Sequence, residues 1–548
     1  MKKIFFTVAI MATLSSQFVD AARYYVDLHT PLIPTPVLPA TVTTVWNSWS
    51  SVQQFNAFSN AHSWATAIPD LQYAMYFAKD GDEIWVKRTP ANAPYTPMCT
   101  PNANFRHNYF LIQKDVAVHG GFNGTETSLT DRWFINQTHL GIEQHKTDYT
   151  LWMQGSKSLI DGFFIDFACP RIAGIVMESF TTDDNQVIAN TVINGNVFKY
   201  SEGSIGHEKL GIINVGGNRT RLSGCGAILY NVVISNFILN SWAPGSATTT
   251  SENSLINIDG GRLNIQNVTI ADNTADPRNN NPAGIPGLAV TLGLGRRQRV
   301  VSNPDLAEAN IVNSIIWYRP SSPTGYLPEG DAIKLETFGY GRIFVSYSDI
   351  MRSGGSGSSF WTGGIVDFGL NMAQDPVFEI DVNPMPFGHP LAKHLWYKID
   401  QNSPVIDRGI NIYPECSPYS YSRLYENFDL KNEMRIENGI IDMGAFEWQP
   451  PMYNHYDPAP RRNQEENNEN NIFQLYPNPA NSITTLQIDG LESEATVFVT
   501  DMQGKVIEIF KMKDNTVFIN VATYSEGVYF VRVISDKITA TKKLIVKK

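Results

Sequence analysis

The chain has 548 residues, of which 43% are hydrophobic and 17% are charged, and its net charge at pH 7 is −11. This length suits about two to four domains, although a single β-solenoid also absorbs several hundred residues. Because the chain is acidic and has no basic block, it lacks the electrostatic footprint of a nucleic-acid-binding protein.

The N-terminus, residues 1–21, is predicted to be a signal peptide. The basic start MKK precedes the apolar run IFFTVAIMATL, and Val19 and Ala21 indicate cleavage after Ala21. That run is too short to span a bilayer, and no later stretch reaches about 18 apolar residues. The alternative is a buried N-terminal helix or strand. We expect the chain to cross the inner membrane.

Two tryptophan-bearing segments are candidates for glycan binding. Trp46 and Trp49 lie in VWNSWSSVQQF, and Trp361 follows much later. Exposed aromatic rings offer stacking faces at binding sites. The ends of a solenoid must also be covered against edge pairing, and aromatic residues suit that role.

Six short segments share one pattern: an aliphatic residue, any residue, a turn residue, two further residues and a large apolar residue. They are LIDGFF, IANTVI, LYNVVI, IQNVTI, IVNSII and VSYSDI. A constant motif at irregular spacing predicts a constant turn with variable loops. The predicted turn residues are Asp161, Asn190, Asn231, Asn267, Asn313 and Tyr347.

The repeats predict an all-β chain built on a parallel β-solenoid. β-Branched residues, which suit strands, surround each Asn. Asn also tolerates the left-handed conformation, so one Asn can bend a strand sharply. We therefore predict left-handed Asn231 and Asn267 between two strands. Turn Asn side chains are also expected to bond to one another along the stack. The alternative is an antiparallel β-sandwich, but Asn-Gly hairpin signals are scarce.

Longer segments extend this picture. They are SWATAIPDLQYAMYFAKDGDEIWVKRTPANAPYTP (63–97), VHGGFNGTETS (118–128), SPVIDRG (403–409) and NGIIDMGAFEWQ (438–449). They resemble a family of exported, pectate-lyase-like, right-handed parallel β-helix proteins of Bacteroidota. The resemblance implies a cap helix, GDEIWV as the first strand, and closing coils in the last two segments.

The cap helix is also visible in the residues themselves, because Leu71, Ala74, Met75 and Ala78 recur at helical spacing after Asp70. We assign residues 22–449 to a right-handed parallel β-helix with an N-terminal cap. Long inserted loops depart from the family pattern, and the resemblance says nothing about their function. They lie around 95–108, 241–253 and 275–305.

One stretch offers candidate catalytic residues. Asp183 and Asp184 precede a Gly-His pair at His207, which resembles the polygalacturonase-like arrangement. There one carboxylic acid protonates the leaving oxygen and another carboxylate activates water. The chain lacks that family's upstream Asn-Thr-Asp and downstream Arg-Ile-Lys, so a solvated turn competes with this interpretation.

A basic cluster in an inserted loop is a candidate contact for an anionic glycan, with a solvated loop as the alternative. The cluster is Arg296, Arg297 and Arg299.

Neither a cofactor nor a metal is predicted. Lyases commonly hold calcium with several acidic oxygens, but the acids of the solenoid are scattered. No CxxC spacing indicates zinc. The cysteines allow three disulfide pairings, and free buried thiols are an equal alternative. They are Cys99, Cys169, Cys225 and Cys416.

The composition changes after Gln449. Residues 450–471 are rich in Pro, Asn and charge, which predicts a disordered linker. Residues 472–548 alternate between apolar and polar residues in about seven short runs, as in a small immunoglobulin-like β-sandwich. DMQG, Asp501 to Gly504, is a predicted hairpin turn.

Within this last segment, YPNPANS, GVYFVRV and the terminal KKLIVKK resemble the C-terminal (type A) sorting domain of the type IX secretion system. The resemblance implies the secretion machinery as partner and passage through the outer membrane. An accessory immunoglobulin-like domain that stays attached is the alternative. The residues that carry the resemblance are Tyr476, Pro477, Asn478, Pro479, Gly527, Tyr529, Lys542 and Lys543.

Three functions are compatible with the sequence. The favoured one is a non-catalytic β-helix at the outer-membrane surface or outside the cell that binds glycans or other surfaces. The second is a carbohydrate-active enzyme, a polysaccharide lyase or glycoside hydrolase, with its site in the inserted loops. The third is a structural component of a surface layer.

Overall fold

The fold is described from a computed structural model of the chain. The described residues are 21–30, 32, 39–89, 93–97, 109–132, 138–141, 149–166, 174–178, 185–195, 197–198, 212–216, 226–235, 237–239, 254–258, 261–275, 290–294, 307–318, 335–337, 341–379, 397–411, 428–430, 434–436, 439–449, 473–488, 491, 494–501, 506–534 and 539–548.

Three helices lie near the N-terminus: α1 (Pro39–Ser48), α2 (Ser51–Ser59) and α3 (Leu71–Phe77). Two short 3-10 turns are at Trp64–Thr66 and Leu129–Asp131. The predicted cap helix is α3, which begins where the Asp70 carboxylate accepts a hydrogen bond from the Tyr73 amide at 3.0 Å. Such an N-cap satisfies an amide that the helix itself leaves unpaired.

The described strands of the solenoid run from residue 23 to residue 367. They are β1 (Arg23–Val26), β2 (Glu83–Lys87), β3 (Phe110–Ile112), β4 (Ala117–Phe122), β5 (Thr138–Leu140), β6 (Leu151–Met153), β7 (Leu159–Asp161), β8 (Phe163–Asp166), β9 (Ile175–Glu178), β10 (Val187–Asn194), β11 (Val197–Phe198), β12 (Ile213–Gly216), β13 (Ala227–Ser235), β14 (Ile238–Leu239), β15 (Ser254–Ile258), β16 (Gly261–Ala271), β17 (Thr274–Ala275), β18 (Val290–Leu294), β19 (Ala307–Val312), β20 (Ile315–Trp317), β21 (Leu335–Thr337), β22 (Arg342–Ser346), β23 (Asp349–Ile350) and β24 (Ile365–Asp367).

These strands stack into three parallel sheets. The first follows the order β1-β2-β4-β7-β10-β13-β16-β19-β22-β24 and includes β5, β8, β20 and β23; the second is β3-β6-β9-β12-β15-β18-β21; the third is β11-β14-β17. Strands that pair with the strand one coil later, rather than with their neighbours in sequence, define a solenoid. The predicted right-handed parallel β-helix is confirmed.

The core lies inside the coils, as the repeats predicted. Each coil places an aliphatic residue directly above that of the coil below, with the register fixed by the parallel pairings. One such column is Ile188, Leu229, Ile265, Ile311 and Val345, all of them buried.

The predicted bends are present. Asn231 and Asn267 have φ angles of 56° and 53°, in the left-handed region, inside β13 and β16. Asn190, Asn313 and Tyr347 also have positive φ angles. The prediction that Asn residues bend the coils is therefore confirmed at these positions.

Asp161 is an exception. The strand register places it opposite Ala189, one residue before the bend. The left-handed residue of its coil is Gly162, with φ 79°. The assignment of Asp161 as a turn residue is wrong, because glycine adopts this conformation without the steric penalty that limits other residues.

We expect the Asn267→Val variant to be destabilised by about 1–2 kcal/mol, since a β-branched residue pays the steric cost of the left-handed conformation. Urea unfolding monitored by circular dichroism measures the loss. A Val substitution at Asn264, which lies in the same strand outside the bend, is the control. An unchanged unfolding midpoint for Asn267→Val would contradict the role of this bend.

The resemblance was wrong about the first strand. β1 precedes GDEIWV and pairs with it in parallel, so that Tyr24 lies opposite Ile84 and Val26 opposite Val86. The solenoid therefore begins with Arg23, which lies 60 residues before Glu83 of GDEIWV. β1 was not predicted because it is only four residues long and does not contain the six-residue repeat motif.

The resemblance was also wrong about the closing coils. In the described residues, the last solenoid strand is β24, and residues 397–411 and 428–449 contain no strand, only isolated bridges. This part of the chain, which we call the return segment, packs against the outer side of the strands that follow the bends. Met443, Ala445 and Phe446 share a buried cluster there with Val233 and Ile315.

The C-terminal part has two antiparallel sheets that enclose one core. Its strands are β25 (Phe473–Tyr476), β26 (Ile483–Ile488), β27 (Ala495–Asp501), β28 (Val506–Met512), β29 (Thr516–Asn520), β30 (Gly527–Ile534) and β31 (Thr539–Val546). The sheets are β25-β26-β29 and β28-β27-β30-β31. These seven strands form the predicted small β-sandwich, with β27 and β28 as neighbours on either side of the predicted DMQG turn.

The core of the sandwich is built from residues 473–546 alone. The predicted linker, 450–471, lies outside the described residues, so the domain boundaries stay predictions. No helix in the described residues is long and apolar enough to cross a membrane.

Candidate functional site

The first part of the sorting signature lies at the surface of the sandwich. Residues 476–479 are exposed, and Ala480 after them is buried. The Thr484 hydroxyl donates a hydrogen bond to the Pro477 carbonyl at 3.0 Å, which holds the turn against β26. The Tyr476 ring is 46% exposed, and its hydroxyl donates to the Gln487 side-chain oxygen at 2.7 Å.

The structure joins this turn to the end of the chain. The Asn478 side-chain oxygen accepts a hydrogen bond from the Ile545 amide at 2.8 Å. Ala480 forms a parallel bridge with Val546, held by two main-chain hydrogen bonds. Two segments about 67 residues apart in sequence thus form one surface. The arrangement exists only when β31 is in place.

The terminal strand is also part of the core. β31 pairs along the whole of β30, with Gly527 opposite Val546 and Tyr529 opposite Leu544. Leu544 and Val546 are buried, as is the Tyr529 ring. Lys543 lies opposite Phe530 in this pairing, and the Lys542 ammonium lies 5.6 Å from the centre of the Phe473 ring.

Two buried clusters contain carboxylates with shifted pKa values, as catalytic sites do. In the first, the His119 ring nitrogen Nδ1 is 2.7 Å from an Asp161 carboxylate oxygen, and Arg132 forms an ion pair with the same carboxylate. Burial raises the pKa of Asp161, but the Arg132 charge and the His119 hydrogen bond outweigh it, so the pKa is lowered. Asn190 donates to the other Asp161 oxygen at 2.9 Å.

All of these groups are buried, so the cluster has no face toward solvent for a substrate. Its geometry supports a structural role. Asp161 begins a ladder of polar side chains that continues through Asn190 to Asn231, with a 2.6 Å hydrogen bond between the two amides. The predicted bonding between stacked turn residues is therefore seen between Asn190 and Asn231, and Asp161 extends this ladder by one coil.

The second cluster holds the return segment. The buried Arg435 guanidinium donates to the Asn231 side chain at 3.1 Å and to the Gly444 carbonyl at 2.7 Å. Asp442 accepts hydrogen bonds from the Asp407 and Trp448 amides, at 2.6 and 2.7 Å. Burial is the main cause that raises the pKa of Asp442 to about 7.

A glycosidase needs two carboxyl groups facing a substrate cleft. Both carboxylate oxygens of Asp442 instead accept hydrogen bonds from main-chain amides, and the residue is almost fully buried. In the described residues, no group of three or more His, Cys, Asp or Glu side chains is placed to hold a metal ion.

The predicted stacking tryptophans lie at the ends of the solenoid. Trp46 is fully buried, and its indole nitrogen donates to Asp70, the N-cap of α3, at 3.1 Å. Trp49 packs on the same core near the first coil. Trp361 packs on the core near the last coil, with its indole nitrogen bonded to the Gly355 carbonyl at 2.8 Å. These contacts are those of capping residues.

The last coil carries an aromatic surface that sequence reasoning missed. The Phe344 and Phe368 rings are stacked, with centroids 5.1 Å apart and an angle of 13° between the planes. Phe368 is 65% exposed and Leu370 is 58% exposed. Phe368 follows β24 and lies beyond the last repeat that the sequence showed. In the sequence, the alternation within FVSYS and VDFGL is the one sign that Phe344 and Phe368 lie on the same face.

The remaining predicted site residues lie outside the described residues. They are Asp183, Asp184, His207, Arg296, Arg297, Arg299 and the cysteines Cys99, Cys169, Cys225 and Cys416.

Residues 474–547 match the family model described as the secretion system C-terminal sorting domain. The sandwich is thus a sorting domain of the type IX system, as predicted, and the chain is exported to the cell surface or beyond.

No curated protein matches the chain. The crystal structure of pectate lyase Pel9A is similar over 78% of this chain and 97% of that one, with 12% identity and a TM-score of 0.32. A likeness at this level says nothing about activity.

Proposed function

We propose that the chain is a non-catalytic, glycan-binding β-helix displayed at the cell surface. Residues 1–21 take it through the inner membrane as a signal peptide, and the sorting domain then delivers it across the outer membrane through the type IX machinery. The last coil of the solenoid provides the binding surface.

The stacked Phe344–Phe368 pair is the observation that carries the proposal. A flat, solvent-exposed aromatic surface costs hydrophobic free energy unless a partner covers it. Sugar rings present C–H groups on one face, which suits the negative face of an aromatic ring. Leu370, two residues after Phe368, is also exposed.

Two buried carboxylates of the described residues are held by the fold. Asp161 is paired with Arg132 and His119, and Asp442 is bonded to main-chain amides. Groups held in this way are hidden from solvent and fixed by the fold. They stabilise the fold, so neither of these two offers a free carboxyl group to a substrate.

A glycan array with the purified full chain, run beside assays for reducing ends and unsaturated products, tests the proposal. We expect binding without product formation, and a loss of about tenfold in affinity for Phe368→Ala, or about 1.4 kcal/mol. The control is Phe55→Ala, which removes a Phe that is 47% exposed on α2, near the first coil.

Two results would overturn the proposal. Equal binding by the wild type and Phe368→Ala would remove the last coil as the binding surface. Product formation that disappears in an Asp183→Asn, Asp184→Asn double variant would identify an enzyme instead.

A further inference from the structure

The outer face of the three-stranded sheet has an unusual composition. β25, β26 and β29 point eight side chains outward, and none of them is charged, although 17% of the whole chain is charged. They are Gln474, Tyr476, Ile483, Thr485, Gln487, Thr516, Phe518 and Asn520. We call this surface the neutral face.

The neutral face carries three exposed large apolar side chains, those of Tyr476, Ile483 and Phe518. Phe518 is 72% exposed, the highest value for a large hydrophobic residue in the described part of the chain. Tyr476 and Phe518 lie on either side of Thr485 in one cross-strand row, and Ile483, 50% exposed, lies diagonal to Phe518. Two aromatic rings therefore flank a small residue. The strands at the edges of a sheet normally carry charged side chains that prevent association with other chains, and β25 and β29 have none on this face.

The neutral face is continuous with the sorting signature. Tyr476 belongs to both, and the turn that follows it is tied to the chain terminus through Asn478 and Ile545. A receptor that covers the signature therefore meets Tyr476 and the neighbouring row in the same contact.

We propose that the neutral face is the surface by which the sorting domain docks on a protein of the secretion machinery. Aromatic residues are the usual energetic centres of protein interfaces, whereas charged residues are depleted from the interface core. An anionic membrane surface is a poor match, because binding there depends on Lys and Arg side chains. Eight residues are fewer than the roughly 20–30 that a stable interface uses on each side, which suits the transient contact that a transported protein makes.

The test uses the full chain in the producing organism, with surface and periplasmic fractions quantified by immunoblot. The main variant is Phe518→Asp, which places a charge on the neutral face. The matched control is Ile509→Asp, which places the same charge on the outward side of the four-stranded sheet, where Ile509 is 56% exposed. Circular dichroism and limited proteolysis of the recovered chains report folding.

We expect Phe518→Asp to reduce the surface fraction at least tenfold while folded protein accumulates in the periplasm, and Ile509→Asp to be delivered normally. If Phe518→Asp fails to fold, Thr485→Lys makes the same test on a half-buried polar position. Normal delivery of folded Phe518→Asp or Thr485→Lys overturns the proposal, as does equal loss with Ile509→Asp.

Self-association is the remaining alternative. If the wild type is a dimer by size-exclusion chromatography and Phe518→Asp is a monomer that is delivered normally, the face binds a second copy and the proposal is wrong. Glycan binding of Phe518→Asp should equal that of the wild type, so the outcome is separable from that of the Phe368→Ala experiment.

Discussion

Deletion of Lys542–Lys548 should abolish surface delivery and unfold the sorting domain. The deletion removes most of β31, including the buried side chains of Leu544 and Val546. Burial of each such side chain is worth about 1.5–3 kcal/mol. A domain of this size is stable by roughly 0.05–0.15 kcal/mol per residue. The loss is therefore comparable to the whole stability of the sandwich.

The deletion also removes the partners of the sorting turn. Without Ile545 and Val546, the Asn478 side chain and the Ala480 main chain lose the hydrogen bonds that fix them. Cell fractionation should find the truncated chain in the periplasm, and limited proteolysis should degrade its C-terminal part first. Normal amounts at the surface would contradict the sorting assignment.

A second variant separates loss of fold from loss of an exposed end. Lys547→Ala with Lys548→Ala keeps β31 and its buried residues, since both lysines are exposed and follow the strand. If the machinery reads the folded surface, this double variant is delivered normally. Failure of delivery with an intact fold would show that the machinery reads the charged terminus itself.

The sequence predicted the features that depend on local chemistry. An Asn between β-branched residues bends a strand for reasons contained in a few residues, so Asn231 and Asn267 were identified correctly. Asp161 was misassigned for a related reason. The six-residue pattern matches equally well when shifted by one position, and only the pairing with Ala189 shows that Gly162 makes the bend.

Features that depend on distant contacts were not predictable in this way. The return segment resembles further coils in sequence, but Arg435 reaches Asn231, 204 residues earlier. The exposed aromatic pair on the last coil depends on register between two coils. The terminal strand was predicted from its alternation, but its hydrogen bonds to the turn at Asn478 and Ala480 join segments about 67 residues apart and carry no local sequence signal.

Removal of the second part of the return segment, residues 428–449, is expected to destabilise the solenoid strongly, although no solenoid strand is removed with it. Two chains make the comparison, one ending after Gln449 and one ending after Glu426. The first keeps every residue of the buried cluster on the solenoid's outer side. It should fold and accumulate in the periplasm, because the sandwich core includes no residue before 473.

The shorter chain loses Leu430, Met443, Ala445 and Phe446 from that cluster. At about 1.5–3 kcal/mol for each large side chain, the loss is on the order of several kcal/mol, an upper value because an unfolded chain is already partly compact. It also leaves the buried Asn231 side chain without Arg435 and Thr269 without the Ala445 amide, at further cost.

Point variants test the same contact without truncation. Phe446→Ala, at a fully buried site, should cost about 3–5 kcal/mol, whereas Met434→Ala, at a half-exposed site of the same segment, should cost less than about 0.5 kcal/mol. Thermal and urea unfolding of both, in the chain ending after Gln449, measure the difference. Identical unfolding curves for Phe446→Ala and the parent chain would show that the return segment merely lies on the solenoid, and that the coils carry their stability alone.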